Sequence, residues 1–180
     1  MKRYILTVLM TLVLFAGSAF ANGRMPQVKE KSEAEKFILQ LAKVKASEID
    51  YAYISTSMFR QLLSQALSIV DSDIKEALGV DNILSSVMYM RRFMSTGREG
   101  YELLHKAMQP FLEEEEELMG MQLNSFNRAD GGLSIVYSDP KNVLIINEQE
   151  GDEDYFMVIF VSGVSYENFM KVTGNGGLIF

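Results

Sequence analysis

Cysteine and tryptophan are absent from the 180 residues, histidine occurs once and proline three times. Without thiols there is no disulfide framework, no thiolate metal site and no cysteine nucleophile. The single imidazole, His105, leaves the usual catalytic vocabulary thin, because a Ser/His/acid triad would have to run through it. No Gly-x-Ser-x-Gly elbow is present, and Ser134 and Ser162 lie within strand-like runs. Basic residues are outnumbered, 17 against 24 acids, and they form no stripe, which argues against nucleic acid as a partner. Hydrophobic residues make up 48% and charged residues 23%, an ordinary globular balance.

The longest apolar run is at the N-terminus. Lys2 and Arg3 precede an almost unbroken apolar stretch from Ile5 to Ala16, followed by the small-x-small triplet Ala19-Phe20-Ala21. This is the pattern of a secretory signal peptide, with cleavage expected after Ala21. The run falls short of the about 20 apolar residues that a spanning helix needs. No cysteine follows it, so lipid attachment at a lipobox is excluded. The expectation is a bacterial exported protein, periplasmic or secreted, with no membrane span after cleavage. Loss of Lys2 and Arg3 would move the formal charge from −7 to −9.

The remaining chain divides into a polar leader over 22–31, one α+β domain over 32–173 and a glycine-rich tail over 174–180. Ser32 followed by Glu33 and Glu35 marks a helix start, and Ala34, Phe37, Ile38, Leu41 and Val44 recur at helical spacing. A short strand is expected at Tyr51–Ile54. Ser55 is placed to cap a second helix carrying Met58, Phe59, Leu62 and Ile69. Ser72–Gly79 reads as one helical turn, and Asn82–Met90 as a second strand. A third helix begins near Gly97, and Pro110 should kink or divide it. Four short β-type runs follow, Leu118–Phe126, Leu133–Tyr137, Asn142–Asn147 and Tyr155–Ser162, and a last short helix at Ser165–Val172. Connections this short require antiparallel pairing. The fold expected is therefore α+β: an antiparallel sheet, mostly in the C-terminal half, with about three helices on one face.

Tyr155–Val161 is apolar on both faces, as a central strand would be. One face should pack on helices through Phe37, Leu41 and Leu62. The other needs a cover, either the leader, the tail segment Leu178–Phe180 or a partner protein. On that reading, Ile159→Asp and Phe160→Asp should differ, one unfolding the protein and the other impairing only partner capture or self-association.

Four groups of residues invite chemistry, and each has an ordinary reading. His105 lies one helical turn from Tyr101 and Met108, as a half-buried helix residue would. Glu113–Glu117 would fan around a helix and cannot converge on an ion. Glu148, Glu150, Asp152, Glu153 and Asp154 share one turn and could converge on calcium, but lack the order of a calcium loop. Met88-x-Met90 and Met119-x-Met121 would each put two thioethers on one strand face, a copper(I) chemistry, although methionine mostly fills cores. No residue is assigned a catalytic, cofactor or metal role.

Three segments carry a resemblance: Ala52-Tyr53-Ile54-Ser55 leading into Met58-Phe59-Arg60; Glu117-Leu118-Met119; and Phe160-Val161-Ser162-Gly163 followed by Ser165–Met170. With the exported N-terminus, they resemble a family of small secreted bacterial proteins with a domain of unknown function. The resemblance spans about Ala34 to Val172 and implies an exported single domain. It brings no activity and no functional residues. The leading expectation is a non-enzymatic envelope protein that acts by binding, with another envelope protein or a second copy as partner. The runner-up is a metal or small-ligand carrier using the methionine pairs or the acidic turn.

Overall fold

The computed structural model describes residues 31–44, 46–67, 86–129, 131–151 and 154–173. The expected turn at Ser72–Gly79, the leader up to residue 30, the signal segment and the tail lie outside the described residues, as does the 82–85 part of the second strand. Helix α1, Glu33–Leu41, opens with a capping box. The Glu35 N–H donates to Ser32 Oγ at 3.1 Å, and the Ser32 N–H donates to Glu35 Oε2 at 3.3 Å. Strand β1 is Ile49–Ser55, and α2 is Thr56–Leu67. Ser55 Oγ accepts the Met58 N–H at 3.4 Å, the capping role its position suggested.

Strand β2 is Tyr89–Ser95, so the strand expected to end at Met90 instead begins one residue earlier and runs through Arg91 and Arg92. Two adjacent arginines look like surface, but both are buried here. Helix α3, Arg98–Leu112, is not divided by Pro110 and ends two residues after it. The run Glu113–Glu117 lies beyond the helix rather than on it. Glu113 is the extended C-cap, Glu117 opens β3, and all five side chains are exposed.

The strand expected at Leu118–Phe126 is a hairpin: β3 is Glu117–Leu118 and β4 is Met121–Ala129. Met119 and Gly120 turn between them with φ of 51° and 74°, the two positive angles a tight hairpin turn requires. Strands β5 (Gly132–Ser138), β6 (Asn142–Gln149) and β7 (Tyr155–Ser162) continue the meander, and α4, Tyr166–Thr173, follows. The sheet has seven antiparallel strands in the order β1-β2-β7-β6-β5-β4-β3. The fold is α+β, with strands concentrated in the C-terminal half. Among the described residues no helix is long and apolar enough to cross a membrane.

Helices α1 and α3 cover one face of the sheet. Ala34, Ile38 and Leu41 from α1, and Leu104, Met108 and Phe111 from α3, meet Phe93, Ile135, Leu144, Phe156, Val158 and Phe160 in a single cluster. Each of these side chains larger than alanine contributes about 1.5–3 kcal/mol. Phe37 packs against this cluster as expected. The alternate residues of β7 are buried too: Ile159 is 2% exposed and Phe160 0%. The strand is therefore core on both sides, which corrects the expectation of one face left for a partner. Helix α2 lies against β1 and β2, and α4 against β6.

The position of α3 is set by the turn before β1. Its N-cap, Gly97, offers no side chain, and Glu48 takes over that task. Glu48 Oε2 accepts the N–H groups of Glu99 at 2.8 Å and Gly100 at 3.3 Å. A carboxylate placed there suits the positive end of the helix. The Glu48 carbonyl in turn accepts the Thr96 N–H at 2.8 Å. This clamp fixes where the far end of α3 meets the sheet.

Candidate functional site

Helix α3 crosses the sheet with Tyr101 and His105, one turn apart, facing β6 and β7. The two rings stack at 5.8 Å, and both stand edge-on to Phe156. Beneath them is Glu148 of β6, whose side chain is only 7% exposed. The Tyr101 hydroxyl donates to Glu148 Oε1 at 2.6 Å, and His105 Nδ1 lies 2.5 Å from the same oxygen. A carboxylate can only accept, so Nδ1 of His105 carries the proton in this bond. Both bonds end on Oε1, and Glu148 Oε2 takes none among the described residues. Burial, the Glu148 hydrogen bond and the nearby acids Glu150 and Asp154 push the Tyr101 phenol well above its ordinary value. It therefore stays a donor throughout the physiological range.

Glu148 lines a cleft of about 460 Å³, within the size range of small-molecule sites. One wall is the last two turns of α3, with His105, Gln109, Leu112 and Glu113. The other is the β4–β5 hairpin, with Arg128, Gly131, Gly132 and Leu133, and Glu150 completes the rim. Strand register puts Arg128, Leu133 and Glu148 in one row across β4, β5 and β6. Two strand spacings, roughly 10 Å, thus separate the backbones of Arg128 and Glu148. The hairpin tip is tied to the rim by the Glu150 N–H donating to the Gly131 carbonyl at 3.0 Å. Gly131 has φ of 79°, and a Cβ there would come within 3.2 Å of the Glu150 carbonyl. Among the described lining residues there is no serine or threonine.

The other expected groups are placed as follows. Met88 precedes β2 and is 42% exposed, whereas Met90 lies inside it at 5%. Met119 occupies the hairpin turn and Met121 is fully buried. Neither pair presents two thioethers at one surface. In the acidic turn, Glu148 points inward to Tyr101 and His105, and Asp152 and Glu153 lie outside the described residues. Among the described residues no three His, Asp or Glu side chains converge as metal ligands.

A second polar constellation is closed rather than open. The buried Arg91 guanidinium lies 4.9, 5.3 and 5.9 Å from the ring centres of Tyr53, Tyr89 and Tyr51. It donates to the Tyr51 hydroxyl, and the Tyr89 hydroxyl donates to Glu35 Oε1. Glu35 thus serves both the cap of α1 and the sheet. On the opposite face Arg92, 0% exposed, pairs with Asp50. These groups hold strands and helix in register.

Six of the eight tyrosines, Tyr51, Tyr53, Tyr89, Tyr101, Tyr137 and Tyr155, have phenols pushed up chiefly by burial, Tyr155 to about 12. Above pH 10 the unfolded chain ionises them while the folded chain does not, so stability is full below that pH and falls as pH rises above it. Denaturant titrations between pH 9 and pH 12 should show this loss beginning near the ordinary phenol value, about 10. Tyr89→Phe should make the decline shallower. A flat stability profile to pH 12 would contradict the burial of these rings.

No family model matches the chain, and neither a curated protein nor a solved structure matches it.

Proposed function

We propose that this is an exported, non-catalytic binding protein of the bacterial envelope, related to the secreted family it resembles, whose α3–hairpin cleft holds a small polar ligand. The observation that carries the reading is the convergence of a largely buried carboxylate, Glu148, with His105, Glu150 and Arg128 on a concave space of about 460 Å³. A concave site with a few convergent polar groups suits a small molecule better than a flat protein partner. The strand expected to offer a partner surface, Tyr155–Val161, is consumed by the core. This moves the emphasis from protein capture to ligand carriage, at a site built from residues other than the methionine pairs.

Native mass spectrometry of the mature protein, purified gently from its own envelope, tests the reading. A mass adduct of small-molecule size should accompany the parent protein. Gln109→Trp, an exposed helix position on the cleft wall, should remove the adduct and leave the melting curve intact. An adduct retained by that variant would place the ligand elsewhere.

A further inference from the structure

Resting on the cleft as the binding site, we infer that its ligand is a small organic cation bound through an ammonium group. Three independent features favour positive charge. Among the described lining residues three acids, Glu113, Glu148 and Glu150, outnumber one arginine, Arg128. The cleft also takes in the last turn of α3, at Gln109, Leu112 and Glu113. A helix C-terminus carries free carbonyls and the negative end of the dipole. That turn holds no basic residue to neutralise it. Finally, Glu148 is more than nine-tenths buried, with Oε1 engaged twice and Oε2 by no described donor. That second oxygen is not closed off from solvent, so it can accept one of the three N–H donors of an ammonium.

The neighbouring groups give this oxygen a fixed position. Tyr101 and His105 hold the carboxylate from one side, so its free oxygen needs no reorganisation on binding. Leu112 and Leu133 provide apolar wall for a short methylene chain. Arg128, at the far end of the row, is the one basic residue among the described lining residues; it weakens the binding of any cation without cancelling the surplus of acids.

Isothermal titration of the folded protein with 1,5-diaminopentane, and separately with glutarate of similar length, tests the inference. The diamine should bind and glutarate should not. Glu148→Gln should weaken the diamine by about tenfold or more, the scale of one charge-assisted hydrogen bond. Arg128→Gln should tighten it, because the substitution removes the one arginine among the described lining residues. Far-ultraviolet circular dichroism establishes that both variants are folded. Binding of glutarate but not of the diamine would overturn the ammonium assignment while leaving the cleft as the site. Diamine binding unchanged in both variants would overturn the assignment of the ammonium to Glu148. If neither ligand binds and the native protein carries no adduct, the cleft reading falls with it.

Discussion

Ile159→Asp and Phe160→Asp are each expected to abolish cooperative folding. The two residues point to opposite faces of β7, the third strand of seven, flanked by β2 and β6. Phe160 joins the cluster under α1 and α3 beside Tyr89, whose ring lies 6.3 Å away. Ile159 lies opposite Arg92 and Ile145, on the other face, and is equally enclosed. An aspartate at either site has to be desolvated without a partner or protonated, and it also leaves a void. Together these cost about 5 kcal/mol or more, comparable with the whole stability of a domain. Ile159→Asp has Arg92 as its cross-strand neighbour, but that guanidinium is already engaged by Asp50. Thermal denaturation followed by circular dichroism should show no transition for either variant. A normal transition for one of the two would show that its face is not core.

The second large effect runs against helix propensity. Gly100→Ala replaces a residue inside α3 with the best helix former, a change that ordinarily stabilises by about 1 kcal/mol. At this position a Cβ would sit 1.9 Å from the Glu48 carbonyl oxygen and 2.7 Å from its carbon. The obstacle is backbone, and it belongs to the same residue whose side chain caps α3. The helix can admit a methyl only by lifting off the turn, which breaks the cap and shifts His105 and Gln109 relative to Glu148. A loss of about 3 kcal/mol is expected, within the range for overpacking. Chemical denaturation measures it directly, and a Gly100→Ala protein as stable as the parent would contradict the clamp. Ligand affinity should fall with it, since the same contact sets the cleft wall.

Much of the fold was legible in local signals. Ser32 ahead of Glu33 and Glu35 marks a helix start within four residues, and the helix begins there, closed by a capping box. The last strand declared itself by seven apolar residues without alternation, and it is central. What escaped was set by distant parts of the chain. Arg91 and Arg92 looked like a strand terminus because nothing nearby announces Tyr51, Tyr53 and Asp50, some 40 residues earlier, as their partners. Met119-Gly120 lacks the Asn-Gly signature of a hairpin turn, and only the glycine hinted at it. The candidate site was half visible. His105 with Tyr101 one turn before it, and Glu148 in an acidic turn, were each noted as residues. Their meeting depends on α3 packing across β6, a tertiary fact with no local sequence mark. A useful signal was present in Glu148 itself, an acid two places from Ile146 on the inward side of a strand otherwise filled by apolar residues.

His105, as the only imidazole in the chain, makes the most direct test simple. Its ring gives one pair of carbon-bound proton signals in a histidine-labelled sample, and those signals report on the cleft alone. Titration with 1,5-diaminopentane, at a pH held constant throughout, should move both signals along a saturable curve. The midpoint should match that from calorimetry, and in Glu148→Gln the curve should move to about tenfold higher concentration or beyond. Signals that stay in place while calorimetry records binding would show that the ligand sits elsewhere, and that the His105–Glu148 cleft is not the functional site.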